Sequence, residues 1–240
     1  MFDPRHVGSD FSRAAEQYDA HAALQQRVLA SLIRKALPLL PGRARLLDAG
    51  CGTGQLARML RGHDVTQIDI AMAMCRKAAQ SGVATVNGAV ESLPFADGVF
   101  DGVLSSLVLQ WVPDEKKAME EMRRVLKPGG VLAVATFGAA TLNELRESFA
   151  AADRYSHVSS FITGEEWEHA EVVTEYYPDV MALMRYLKAI GARNKRLERR
   201  KSLMTPRQMS RVGRYYGERF GTARGLPATW EILYAVSRKS

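Results

Sequence analysis

Cysteine is scarce in this 240-residue chain. Two occur, Cys51 and Cys75, too few to suggest a disulfide framework. The five histidines fall in no ligand spacing with them, so no metal site is expected. No apolar run approaches the roughly 18–20 residues that span a bilayer. Residues 1–10 carry no apolar stretch, so no secretion signal is expected and the cytoplasm is the default compartment. Internal repeats and low-complexity segments are missing too. Acidic residues run short in one place: residues 181–240 hold 15 Lys/Arg against Glu198, Glu218 and Glu231, whereas residues 1–180 hold 18 against 23 acids. A basic C-terminal quarter on a slightly acidic body fits either an anionic partner near that end or a solvated surface with no partner.

What is present is the composition of a globular protein, 47% hydrophobic and 25% charged, in a length that suits one large domain. Amphipathic helices are expected over residues 11–18 and 21–37, the second closed by Pro38 and Pro41-Gly42. From Arg45 the pattern alternates. Strands are expected at 45–49, 64–69, 84–87, 100–105 and 131–137, with helices at 55–61, 71–80 and 114–126 and a tight turn at Lys127-Pro128-Gly129-Gly130. Strands apolar on both faces indicate a buried parallel sheet. Helices at 142–153, 179–190 and 205–220 and strands at 171–177 and 229–237 follow. They fit an antiparallel end to the sheet with a helical insertion.

Asp48-Ala49-Gly50-Cys51-Gly52-Thr53-Gly54 stands at the carboxyl end of the first strand, where open parallel sheets bind ligands. Glycines there let backbone approach a ligand closely. Asp69, about twenty positions on, ends the next strand and can accept hydrogen bonds from both hydroxyls of a ribose. A dinucleotide prefers Gly-x-Gly-x-x-Gly with pyrophosphate on the helix N-terminus. Here the spacing is Gly-x-Gly-x-Gly with Asp48 before it. That carboxylate would repel pyrophosphate and attract the cationic amino group of a methionine moiety, which decides against NAD.

These residues resemble the class I S-adenosylmethionine-dependent methyltransferases. Leu-Asp-Ala-Gly-Cys-Gly-Thr-Gly is similar to their first motif and Asp69 to their ribose acid. Glu91-Ser92-Leu93-Pro94-Phe95 with Phe100-Asp101 is similar to the approach to their fourth strand, and Arg124-Val125-Leu126-Lys127-Pro128-Gly129-Gly130 to the turn before their fifth. The resemblance implies a Rossmann-like α/β fold with a mostly parallel seven-stranded sheet, an antiparallel last strand and a helical insertion forming a cap. It also implies S-adenosylmethionine as cofactor, with Asp48, Gly50, Cys51, Gly52, Gly54, Asp69, Ile70, Val90, Glu91 and Ser106 around it. Where the family often has an Asp or Asn for the adenine amino group, Ala89 stands. Adenine is then left to backbone near Val90, to Glu91 or to packing. The whole chain, 1–240, reads as one domain: capping helices in 1–42, the cofactor core in 43–137, and a substrate side in 138–240 with a basic helical insertion at about 178–226.

Further pieces resemble the malonyl-acyl-carrier-protein O-methyltransferases of biotin synthesis over nearly the whole chain. They are Phe11-Ser12-Arg13-Ala14-Ala15 with Tyr18 and residues 21–25; Ser106, Leu107, Gln110 and Trp111; Thr141-Leu142-Asn143-Glu144-Leu145; Leu187-Lys188-Ala189-Ile190-Gly191-Ala192; and residues 225–229. What this implies is methylation of the free carboxylate of a malonyl thioester, with an acidic acyl carrier protein as partner and neither nucleic acid nor membrane. A basic cluster at Arg193, Lys195, Arg196, Arg199, Arg200 and Lys201 could steer such a carrier, although the same charges would suit nucleic acid.

No catalytic acid or base is expected, because a carboxylate with a pKa near 4 is ionised at pH 7. A cation should hold the acceptor carboxylate, and the candidates are Arg146, Lys188 and Arg185. Tyr18 is expected to close over cofactor and acceptor, with Gln110 and Trp111 lining the transfer site. Tyr18 can equally be a core aromatic, and a Trp after a strand is most often simply core. Met72 and Met74 read as core filler and Cys51 as a packing residue. The rival readings are a methyltransferase for another small acceptor and a non-catalytic RNA-associated module. Against the latter, the basic residues carry no interleaved stacking aromatics.

Overall fold

The computed structural model describes residues 4–152, 167–192 and 205–240. The basic run from Arg193 to Lys201 lies outside the described residues. Seven strands form one sheet in the order β3-β2-β1-β4-β5-β7-β6. Strands β1 (Arg45–Ala49), β2 (Asp64–Asp69), β3 (Ala84–Asn87), β4 (Phe100–Ser106) and β5 (Leu126–Phe137) pair in parallel. Strand β7 (Leu226–Arg238) lies antiparallel between β5 and β6 (His169–Tyr177). The order reverses beside β1, which pairs with β2 on one side and β4 on the other. A crevice therefore opens at the carboxyl ends of these strands.

Alternation along the strands sends side chains into two cores. Leu46, Leu104, Ala133, Ala135 and Phe137 face one, which α2 (Ala23–Ala36), α6 (Asn143–Ala152), α7 (Val180–Ala189) and α8 (Pro206–Phe220) cover. Leu47, Val103, Leu132 and Val134 face the other, under α5 (Glu115–Arg124). Each fully buried Leu or Phe contributes about 1.5–3 kcal/mol. Two faces filled in this way explain why the strands read as continuous apolar runs.

The element bounds differ from expectation in informative ways. The first helix, α1, runs over Pro4–His21, well beyond 11–18. Gly8 sits inside it because a Cβ there would stand 3.2 Å from the Ile70 carbonyl oxygen, so the helix can lie directly on backbone. Helix α3 (Gln55–Met59) stops short of Arg61, and α4 covers Met72–Ala79. The turn at Lys127–Gly130 is part of β5, since the Gly129 N–H donates to Lys239 O and the Lys239 N–H to Gly130 O. Asp114 and Asp179 cap α5 and α7 by accepting from Lys117 N–H and Ala182 N–H. Thr205 and Gln208 form a capping box on α8. Among the described residues no helix is long and apolar enough to cross a membrane.

Candidate active site

Strand β1 delivers Asp48 and then the glycine loop. Gly50 has φ +85° and Gly52 φ +52°, conformations that cost most residues strain. A Cβ on Gly50 would fall 2.2 Å from the Val108 side chain, whereas one on Gly52 would meet nothing within 4 Å. Gly52 is thus fixed by its dihedral and Gly50 by crowding as well. The Gly50 and Cys51 N–H groups donate to Ile68 O at 2.8 and 2.9 Å, and the Gly52 N–H donates to Asp69 Oδ2 at 2.9 Å. Asp69 Oδ1 accepts from Ala71 N–H at 2.8 Å. Each Asp69 oxygen keeps further accepting capacity for a hydroxyl.

Asp48 is 4% exposed, and its Oδ2 has no hydrogen-bond partner among the described residues. Burial, with the charge of Asp69 second, pushes its carboxyl up to about 8. Burial raises Asp69 too, opposed by the amide hydrogens of Ala71 and Gly52. The loop therefore ends on two carboxyls that favour a cation and oppose phosphate.

Two adjoining hollows share Tyr18, Gly50, Gly52 and Ser106. The larger, about 690 Å³, is lined by Asp69, the glycines, Ile70, Val90, Glu91 and Trp111. Gly88 and Ala89 also border it, so the wall near Ala89 is backbone and apolar side chain. The smaller hollow, about 490 Å³, contains Asp48, Cys51 and, from α2, Gln25 and Gln26. No Lys, Arg or His lines either hollow among the described residues.

Helix α1 roofs the cleft. Its Phe11 meets Trp111 edge to face, with centroids 5.5 Å apart. The Thr53 hydroxyl donates to Asp19 Oδ1 at 2.6 Å, and Lys77 Nζ donates to Ala15 O at 2.9 Å. These ties escaped sequence reasoning. Asp19 and Lys77 stand far apart in the chain and carry no motif of their own.

Five expected site residues line neither hollow. Gly54, φ +82°, begins α3, where a Cβ would crowd Gln67 Nε2 at 2.8 Å and Ala78 at 3.1 Å. Gln110 is 3% exposed; its amide donates to Leu107 O and accepts from the Thr136 hydroxyl. It thereby braces Leu107, a non-glycine residue at φ +58° in the cleft wall. The Arg146 guanidinium is held by the carbonyls of Ala139 and Thr141 at 2.9 and 2.7 Å. Lys188 lies with Arg185 and Arg13 in a separate groove between α1 and α7.

A fixed network stands behind the Glu91 wall. Glu121 accepts from Leu93 N–H at 2.9 Å, and Arg124 donates to both Glu121 oxygens, to Asp97 and to the carbonyls of Leu93 and Phe95. The Arg124 guanidinium holds the Glu121 carboxyl down at about 2.

Comparison with known proteins gives a consistent picture. A family profile described as a methyltransferase domain matches residues 47–134. The malonyl-[acyl-carrier protein] O-methyltransferase of Methylococcus capsulatus is 38% identical, over 99% of this chain and 94% of its own length. The biotin biosynthesis bifunctional protein BioHC of Teredinibacter turnerae is 37% identical over 98% of this chain and 47% of that protein. Among solved structures, the YcgJ protein of Bacillus subtilis is similar in fold, with a TM-score of 0.61 at 17% identity, covering 89% of this chain and 98% of that one.

Proposed function

We propose that this chain, which belongs to the malonyl-[acyl-carrier protein] O-methyltransferase family, moves a methyl group from S-adenosylmethionine to the free carboxylate of a malonyl thioester on an acyl carrier protein. The ester hides a charge from fatty-acid elongation and so primes a biotin precursor. The observation that carries this reading is Asp48, a buried carboxyl with an unpartnered oxygen at the strand end.

Bound S-adenosylmethionine supplies a methyl carbon on cationic sulfur, so a carboxylate oxygen forms the new bond to carbon as the carbon–sulfur bond breaks and its electron pair stays on sulfur. The residues present fit that donor. Asp48 would hold the ammonium of the methionine moiety, directly or through water, and Asp69 would accept from the ribose hydroxyls. Ile70 and Val90 would pack against adenine, with Glu91 and backbone at Ala89 available to its polar groups. Gly50, Gly52, Cys51 and Ser106 shape the passage between the hollows, and Gly54 acts through the turn into α3. Tyr18 and Trp111 exclude water at the transfer point, where a dry site strengthens alignment and electrostatics. Gln110 serves by holding Leu107. No side chain needs to move a proton, because the acceptor is ionised at neutral pH.

In this reading residues 43–137 hold the donor, residues 1–42 cap it, and residues 138–240 receive the acceptor in the cytoplasm. The acidic carrier docks on the basic face. Arg207, Arg211 and Arg214 project from the exposed side of α8, and Arg13, Arg185 and Lys188 line the groove between α1 and α7. Arg193 to Lys201 belong to the same basic region of the sequence. Charge complementarity of this kind steers association. The test is incubation with methyl-labelled S-adenosylmethionine and malonyl-loaded carrier. A base-labile methyl ester is expected, and label on another acceptor with none on that carboxyl would refute the reading.

A further inference from the structure

Helix α1 lies over the cleft on modest apolar packing. The cluster beneath it consists of buried Ala15, Ala71 and Met74, with Phe11, Tyr18 and Ala73 packed against them. Half of these side chains are single methyl groups, and the apolar area they remove from water is small in proportion. Polar contacts therefore take a large share in deciding where this helix sits.

Those contacts meet at Asp19. Its Oδ1 accepts from the Thr53 hydroxyl at 2.6 Å, and its Oδ2 stands 3.8 Å from Arg58 and 3.7 Å from Lys77. Both cations are anchored to backbone as well. Arg58 donates to Thr53 O at 2.8 Å, and Lys77 donates to Ala15 O at 2.9 Å. Thr53 is 1% exposed, so little water competes for its hydroxyl. A hydrogen bond from such a hydroxyl to an ionised carboxylate belongs to the stronger kind, and the two cations keep that carboxylate from being an isolated charge.

The bond joins two parts that must be in register. Thr53 follows Gly52, whose N–H donates to Asp69 Oδ2, and Asp69 lines the larger hollow. Asp19 follows Tyr18, which lines both hollows. Helix α1 touches the rim of the larger hollow at three further places. Phe11 meets Trp111, Gly8 lies against the Ile70 carbonyl, and Ser12 Oγ accepts from Ala73 N–H at 3.5 Å. The roof thus rests on the glycine loop, the end of β2, α4 and the segment after β4.

We infer that Asp19 is a positioning residue: through Thr53 it sets α1 on the donor loop, and S-adenosylmethionine enters and S-adenosylhomocysteine leaves when this bond opens. The inference rests on the cleft being the donor site and goes beyond that reading, since Asp19 itself lines neither hollow. The bond joins protein to protein, so its loss eases entry and exit alike. Loss of a contact to the donor would instead speed exit alone.

The test follows S-adenosylhomocysteine binding by stopped-flow fluorescence. Asp19→Ala and Thr53→Val should each raise the association and dissociation rate constants roughly tenfold, the size of one hydrogen bond to a charged group, with Kd changing far less. The double variant should add nothing to the larger single effect, because both changes break the same bond. Thr53→Ser, which keeps the hydroxyl, should retain wild-type rates. Asp19 is partly exposed, so Asp19→Ala decides the matter even where Thr53→Val fails to fold. Unchanged rate constants in Asp19→Ala would overturn the inference, as would faster dissociation with association unaltered, or additive effects in the double variant. A wild type that does not bind S-adenosylhomocysteine would instead sink the reading of the cleft, so the two failures are distinguishable.

Discussion

The two halves of this molecule meet their ligands by different means. The donor half uses backbone: strand ends, left-handed glycines and amide hydrogens committed to Asp69. In the proposed acceptor half the side chains come from distant elements, Arg13 on α1 and Arg185 and Lys188 on α7. A backbone site tolerates few residue types at few positions, so it leaves a contiguous signature. A side-chain site has no such constraint and its members are scattered through the chain.

That contrast can be broken most forcefully at Gly50. Gly50→Val combines a positive φ with a clash against Val108. Strain plus overpacking of about 2–4 kcal/mol should weaken S-adenosylhomocysteine binding roughly a hundredfold, measured by calorimetry. A variant that binds normally would show that the loop is not the donor site. Asp48→Asn sharpens the comparison in two directions at once. Losing a charge-assisted contact should weaken S-adenosylhomocysteine binding about tenfold or more. The ligand-free protein should nevertheless become more stable at pH 7–8. The folded-state pKa of Asp48, about 8, lies above its ordinary value of 3.8, so ionisation favours the unfolded chain increasingly as pH rises between those values. Asn removes that penalty, on the order of a few kcal/mol. Thermal unfolding of the variant from pH 5 to 8 checks the sign.

On the acceptor half, Arg207→Glu, Arg211→Glu and Arg214→Glu together should lower kcat/KM for the carrier-bound thioester several-fold at low salt. The coenzyme A thioester should be spared, with the gap closing as salt rises. Equal loss on both thioesters would remove α8 from the docking face. The smallest effect is expected at Glu121→Gln, in the network behind Glu91. The folded pKa of Glu121, about 2, lies below its ordinary 4.5. Its stabilisation is therefore present above the higher value and lost as pH falls through the lower one. The variant should lose about 1–2 kcal/mol near neutrality and show a flatter stability curve in acid, with the loop at Glu91 opening first in hydrogen exchange.

Sequence reading reached the donor half because each demand there is local. Asp48, the glycines and Asp69 follow from one strand–loop–helix pattern, and the parallel order follows from runs apolar on both faces. It also carried the antiparallel end of the sheet, through the change in the strand–helix pattern after Phe137 and the family resemblance. It stopped where contacts cross the chain. Gln110 and Gly54 look like site residues in line with their motifs, yet their side of the backbone is decided by Thr136 and by Gln67 with Ala78. Lys188 shares a helix with Tyr186, two positions away, and that offset sends one to the groove and the other toward Gln25. Asp19 and Thr53 became partners only once α1 was laid over the loop.

The electrostatic character of the donor end can be measured directly by titrating S-adenosylhomocysteine into the protein at pH 7 in buffers of different ionisation enthalpy. A carboxyl with a pKa of about 8 is mostly protonated there and must ionise to receive an ammonium, so close to one proton should leave per ligand bound. Asp48→Asn should release none. Binding by the wild type with no proton released, or undiminished release in the variant, would contradict the role given to Asp48.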